Sequence, residues 1–209
     1  FADNEVLSLA NSLKQGDRKI PFVLLTHFSK EIYRRLQAQD TSAVDYVFSW
    51  HGNADLIVAI IKLFEDLKNA ENDILEVGVQ AILLVEDSVR YYSTYLPELY
   101  KLVLKQSAEF LKETLNEHQR KFRKRSRPKI LLATNYDDAI SMYTKYKSNL
   151  LGVISDVGFT VHKEDRAEDE KLDAGIDLVR HIRQDDPFMP ILLQSSQESM
   201  ADIAKELGV

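Results

Sequence analysis

Acidic and hydroxyl side chains stand at the ends of three separate apolar runs. In "AILLVEDSVRYY" (81–92), Glu86 and Asp87 follow Ile82 to Val85; Asp156 follows "LLGVIS", and Ser195 follows "ILLQ". Carboxylates are costly to desolvate without a partner, so a pair at the mouth of a buried strand needs an explanation. Three carboxylates and a hydroxyl at one sheet edge make a site for a hard cation, with oxygen ligands suited to magnesium. Local readings compete with this one. Glu86 and Asp87 also suit the start of a helix, where acids complement the macrodipole, with Ser88 as cap. Asp156 and Ser195 each suit a turn.

The elements that must position these residues alternate along the chain. Strand-like runs fall at 44–48, 82–85, 129–133, 150–155 and 191–194, and helical periodicity at 53–70, 97–122, 136–147, 176–184 and 198–206. Short apolar strands alternating with helices predict an α/β fold, a parallel sheet with helices on both faces. In such a sheet the carboxyl ends of the strands are where ligands sit, and all the named side chains fall there.

The chain also repeats itself. "LANSLKQGDRKIPFVLLTH" (9–27) lies on "LVRHIRQDDPFMPILLQSS" (178–196) without a gap, matching Leu9 with Leu178, Leu13 with Ile182, Pro21 with Pro190 and Thr26 with Ser195. Each copy reads as a helix end, a polar turn and a strand begun through proline, which is tolerated at a strand's first residue. The back half of one α/β domain is therefore expected before most of a second.

These residues resemble the receiver domain of two-component response regulators. "ILLVEDS" is similar to that family's first strand and acidic pair, "GVISD" with "VGF" to its third strand and phospho-accepting aspartate, and "MPILLQSS" to its fourth strand and switch hydroxyl. The resemblance implies a flavodoxin-like, receiver-type sheet with an elongated first helix in the second copy. It implies Asp156 as phosphoryl acceptor, Ser195 as switch hydroxyl, and Glu86, Asp87, Asp156 and the Gly158 carbonyl as ligands of Mg2+. Residues 1–79 then form the C-terminal half of a degenerate receiver, and 80–209 a receiver lacking its last strand and helix. A histidine kinase or phosphotransfer protein is the implied donor, and the module regulates rather than turning over an outside substrate. An inactive pseudo-receiver serving assembly is the alternative. The sequence departs from the family in lacking the proline four residues after Asp156, and its loop to Gly175 is long and acidic. In the first copy Ser49 or Trp50 stands where the switch lysine belongs. "ILLVEDSVRYYSTYLPELY" and "RPKILLATNYDDA" are closer to receiver pairs that precede PEP synthase-like (PEP/pyruvate-binding) domains in large bacterial proteins.

The 97–122 helix is expected to begin with Pro97 in its first turn and to carry an apolar stripe through Leu96, Tyr100, Leu104, Ala108, Leu111 and Leu115. Its far end would serve a homodimer contact or pack on the first half. "RKFRKRSRPK" (120–129) holds seven basic residues, read as a solvated helix end or a partner of acidic loop 164–173. A net charge of −6 argues against nucleic acid as partner. The histidines are scattered, Trp50 reads as packing, and no nucleophile–base pair suggests a hydrolase. The absence of cysteine excludes disulfides and thiolate chemistry and fits a cytoplasmic protein. No apolar run approaches a membrane span and no signal peptide opens the chain; with Phe1 in place of Met, it is expected to be part of a longer protein.

Overall fold

The structure, a computed structural model, describes residues 3–14, 20–27, 43–112, 127–165, 169–195 and 200–209. Its elements in chain order are α1 (Asp3–Lys14), β1 (Val23–Thr26), β2 (Tyr46–Ser49), α2 (Asp55–Ala70) continued by a π-helical turn (Glu71–Glu76), β3 (Ala81–Val85), α3 (Val89–Lys112), β4 (Lys129–Ala133), α4 (Tyr136–Tyr146), β5 (Leu150–Asp156), α5 (Ala174–Asp185), β6 (Ile191–Gln194) and α6 (Met200–Glu206). The fold is α/β with parallel strands throughout.

Two sheets form rather than one composite sheet. β1 pairs with β2, and the larger sheet has the order β4-β3-β5-β6. Strands β3 and β4 read as continuous apolar runs because both of their faces are covered. Side-chain alternation sends Leu83, Val85 and Leu131 to one face, against Tyr143 of α4 and Leu178 of α5. Leu84, Ile130 and Leu132 go to the other, against Leu63 of α2 and Leu96 and Tyr100 of α3. Each such fully buried aliphatic side chain contributes roughly 1.5–3 kcal/mol. Phe48 of β2 joins this second cluster, with Trp50 packed beside it. Helices α2 and α3 thus pack against residues of both sheets.

The long helix differs from expectation at its start. It begins at Val89, directly after the acidic pair, and Pro97 lies inside it. Proline removes a helical hydrogen bond, but Val89, Tyr92, Leu96, Tyr100 and Val103 form a buried stripe on both sides of Pro97, and that packing carries the helix through. Leu104 is only half-buried and Ala108 is exposed. The side chains of Phe110 and Leu111, and all of Leu115, lie outside the described residues, so the expected dimer contact does too.

The basic run also differs. Residues 120–126 lie outside the described residues, but Arg127 and Lys129 are buried ion-pair partners rather than a solvated helix end. Asp66 of α2, at 0% exposure, accepts from both Arg127 nitrogens (2.9 and 2.6 Å), from Tyr100 Oη (2.9 Å) and from the Ile130 N–H (3.0 Å). Lys129 reaches Asp73 of the π-helical turn at 2.6 Å. Burying these cations requires such pairing.

Candidate functional site

The parallel register brings the acidic residues to one edge. Val85 pairs with Ser155, so Glu86 and Asp156, each one residue further on, emerge side by side from β3 and β5. Asp156 pairs in turn with Gln194, and Ser195 is the exposed residue just beyond it. The edge contains Glu86, Asp87 and Asp156, flanked by Ser195 and by half-buried Gly158.

Each carboxylate is held by a backbone donor. Glu86, 2% exposed, accepts from the Ser88 N–H at 3.1 Å, and its own N–H donates to Ala133 O at 3.0 Å. Asp87 Oδ2 accepts from the Thr160 N–H at 3.1 Å, tying the end of β3 to the loop after β5. Asp156 Oδ1 accepts from the Val157 N–H at 2.8 Å. A helix-start role accounts for the Glu86 bond but not for Asp87, which is turned toward another loop. Gly175 lets α5 approach: a Cβ there would collide with the Asp156 carbonyl oxygen and Val157 Cα, while its N–H donates to Val157 O at 2.8 Å.

The electrostatics report crowded like charges. Burial first, then Asp156 and Asp87, push the Glu86 carboxyl up to about 8. Burial, followed by Glu170 and Asp156, pushes Asp87 up to about 6 against the help of its Thr160 bond. Asp156 is also raised, by burial and by Glu170. Tyr95 of α3 is also raised, by burial first and then by Glu86 and Asp156.

Glu170 escapes a reading of strand ends. It belongs to the acidic loop, and an antiparallel bridge brings it in: Phe159 and Lys171 exchange N–H···O bonds at 3.2 and 3.1 Å, holding the Glu170 carboxylate over Gly158 where a Cβ would otherwise sit. Lys171 itself is spent on Asp177 and Asp173. Among the described residues, no lysine or arginine pairs with Glu86, Asp87 or Asp156.

For a hard divalent cation the donor chemistry fits. All the groups at the edge offer oxygen, their charges repel one another, and Gln194, paired with Asp156, keeps its side-chain oxygen buried without a hydrogen-bond partner. Among the described residues no ready-made group of three metal ligands is assembled.

The corresponding edge of the first half differs. Thr26 pairs with Ser49, and Thr26 Oγ1 donates to His27 O at 3.2 Å. Ser49 Oγ meets His51 Nε2 at 2.9 Å, a hydroxyl–imidazole contact the sequence did not suggest. At 1% exposure, Ser49 has no surface to offer a substrate.

Fold and edge together define an α/β chain with an acidic cluster at the carboxyl end of a parallel sheet. Compared with known proteins, the chain matches no family model, no curated protein and no solved structure. No helix among the described residues is long and apolar enough to cross a membrane.

Proposed function

We propose that residues 80–209 act as a receiver-type signalling module that accepts a phosphoryl group on Asp156 and thereby regulates an attached or partner domain. The observation that carries this is the position of the acidic residues. With the strands numbered from β3 in chain order, the larger sheet reads 2-1-3-4, the start of the flavodoxin-like order, and the carboxylates stand where its first and third strands diverge, the switch point at which such folds bind ligands. Glu86, Asp87, Asp156 and the Gly158 carbonyl would hold Mg2+, which supplies charge neutralisation for the phosphoryl oxygens. An Asp156 carboxylate oxygen attacks phosphorus, a new P–O bond forms, and the donor's bond to phosphorus breaks with its electrons leaving on the donor. Ser195 would supply the switch hydroxyl that meets the phosphoryl group. The donor would be a histidine kinase or phosphotransfer protein in the cytoplasm.

A second reading has an observation in its favour. Glu170 adds negative charge beside Asp156, and no cation among the described residues offsets it, as suits a pseudo-receiver that only assembles or dimerises a PEP synthase-like enzyme.

Acetyl phosphate with Mg2+, followed by intact-mass measurement, separates the two. The active module gains one hydroxylamine-sensitive phosphoryl group that Asp156→Asn does not. No adduct, together with no Mg2+ binding, would overturn the first reading and leave the assembly role.

A further inference from the structure

The first turn of α3 is gripped from two directions. On one side, the Ser88 N–H holds Glu86 Oε1 at 3.1 Å, and Ser88 O accepts from the Tyr91 and Tyr92 N–H groups at 3.0 and 3.1 Å, tying the acidic pair to the helix start. On the other side stands the carboxyl end of β2. The Trp50 N–H turns to Thr26 O on β1, whereas the Ser49 N–H donates to Ser93 Oγ at 2.9 Å. Ser93 Oγ donates to Val89 O, and Tyr92 Oη donates to Val47 O. The Phe48 and Tyr92 rings meet edge to face at 5.3 Å. Helix α3 thus takes up edge groups of β2 that a neighbouring strand would otherwise bond.

Ser49, Tyr92 and Ser93 are all buried. Breaking one of these bonds would take a partner from a buried polar group, so the contact resists sliding. A serine hydroxyl suits the position because it accepts from Ser49 and donates to Val89 at once.

Resting on the receiver-type reading above, we infer that Tyr92 and Ser93 are positioning residues through which β2 of the first half sets the place of Glu86 and Asp87. Neither residue touches the cation or the phosphoryl group. They fix the helix turn whose start fixes the acidic pair, as outer groups orient the ligands of a metal site. The first half is then a structural part of the second half's site.

The test uses the whole 209-residue chain. Tyr92→Phe keeps the ring and removes only the hydroxyl; Ser93→Ala removes the relay, and Ser93→Thr restores a hydroxyl. Mg2+ affinity is read by calorimetry, and amide hydrogen exchange over residues 86–89 by mass spectrometry. Tyr92→Phe and Ser93→Ala should bind Mg2+ about tenfold more weakly and exchange faster at 86–89, with Ser93→Thr recovering part of both. Unchanged affinity and exchange in both variants would overturn the inference, whatever the shift in melting temperature. Should the parent chain bind no Mg2+, the receiver-type reading fails and exchange alone decides: faster exchange upholds the positioning role and unchanged exchange rejects it.

Discussion

Replacing Asp66 by Asn tests whether the buried ion-pair hub unites the two halves. The substitution keeps the size and removes the charge that both Arg127 nitrogens approach at 2.6 and 2.9 Å. Arg127 would keep a contact with Glu65 at 3.5 Å and Lys129 its pair with Asp73 at 2.6 Å. The Asn amide would also set a donor where Asp66 now accepts from Tyr100, Arg127 and Ile130. Removing one partner of a buried pair costs about 3–5 kcal/mol, because the remaining charge stays desolvated. With a urea dependence of about 2–3 kcal/mol per molar for a chain of this size, the midpoint should fall by about 1–2 M. Arg127→Met alone should cost less than Asp66→Asn, since Lys129, at 3.5 Å, still faces the buried Asp66 carboxylate. The double variant should recover part of the loss, which gives a coupling well above zero in a double-mutant cycle. The hub lies at the amino end of β4, opposite the acidic cluster, so Mg2+ affinity of the folded Asp66→Asn variant should be unchanged. A loss below about 1 kcal/mol, or a coupling near zero, would show that the hub is solvated and does not join α2 to β4.

Stability should also depend on pH in a direction set by the acidic cluster. Glu86 rises from 4.5 to about 8 and Asp87 from 3.8 to about 6, so the folded state holds these protons more tightly than the unfolded chain. Their contribution is then present below about 4 and lost as pH rises through 6 and 8, a loss on the order of a few kcal/mol in the absence of a divalent cation. Thermal melts of Glu86→Gln between pH 5 and 9 should be flatter than those of the parent chain, and an equal slope would refute the cause. Gly175→Ala should cost about 1–3 kcal/mol by urea unfolding and weaken Mg2+ binding, because its Cβ runs into the Asp156 carbonyl; an unchanged affinity would show that α5 can move without disturbing Asp156.

What was legible in the sequence was what depends on local pattern. "KILLA" is β4 to the residue, and the run Ile82 to Val85 falls within a residue of β3, since strands buried on both faces leave an uninterrupted apolar signal. The acidic pair and Asp156 were legible as strand-end residues because parallel strands in register collect their carboxyl ends at one edge. Features that depend on distant partners were not. Arg127 reads as one more cation in a basic run, and its carboxylate lies 61 residues earlier on a different helix. Glu170 reads as one more acid in an acidic loop until the bridge between Phe159 and Lys171 turns it onto Gly158. Pro97 reads as a helix start because its missing N–H is harmless there. Inside α3 that loss is outweighed by a buried stripe that spacing alone does not connect to β2.

The same distinction bears on how the acidic cluster is built. Strand register alone accounts for Glu86 beside Asp156, and any parallel sheet with these residues would show it. The orientation of the pair depends on non-local contacts: Thr160 on Asp87, Glu170 over Gly158, and β2 on the first turn of α3. Two of these come from loops following β5 and one from the other half of the repeat. A cluster assembled this way can keep its acidic residues while its response to a cation is set elsewhere. Substitutions at Ser93 or Glu170 should therefore alter cation affinity without touching any residue that the strand ends alone would nominate.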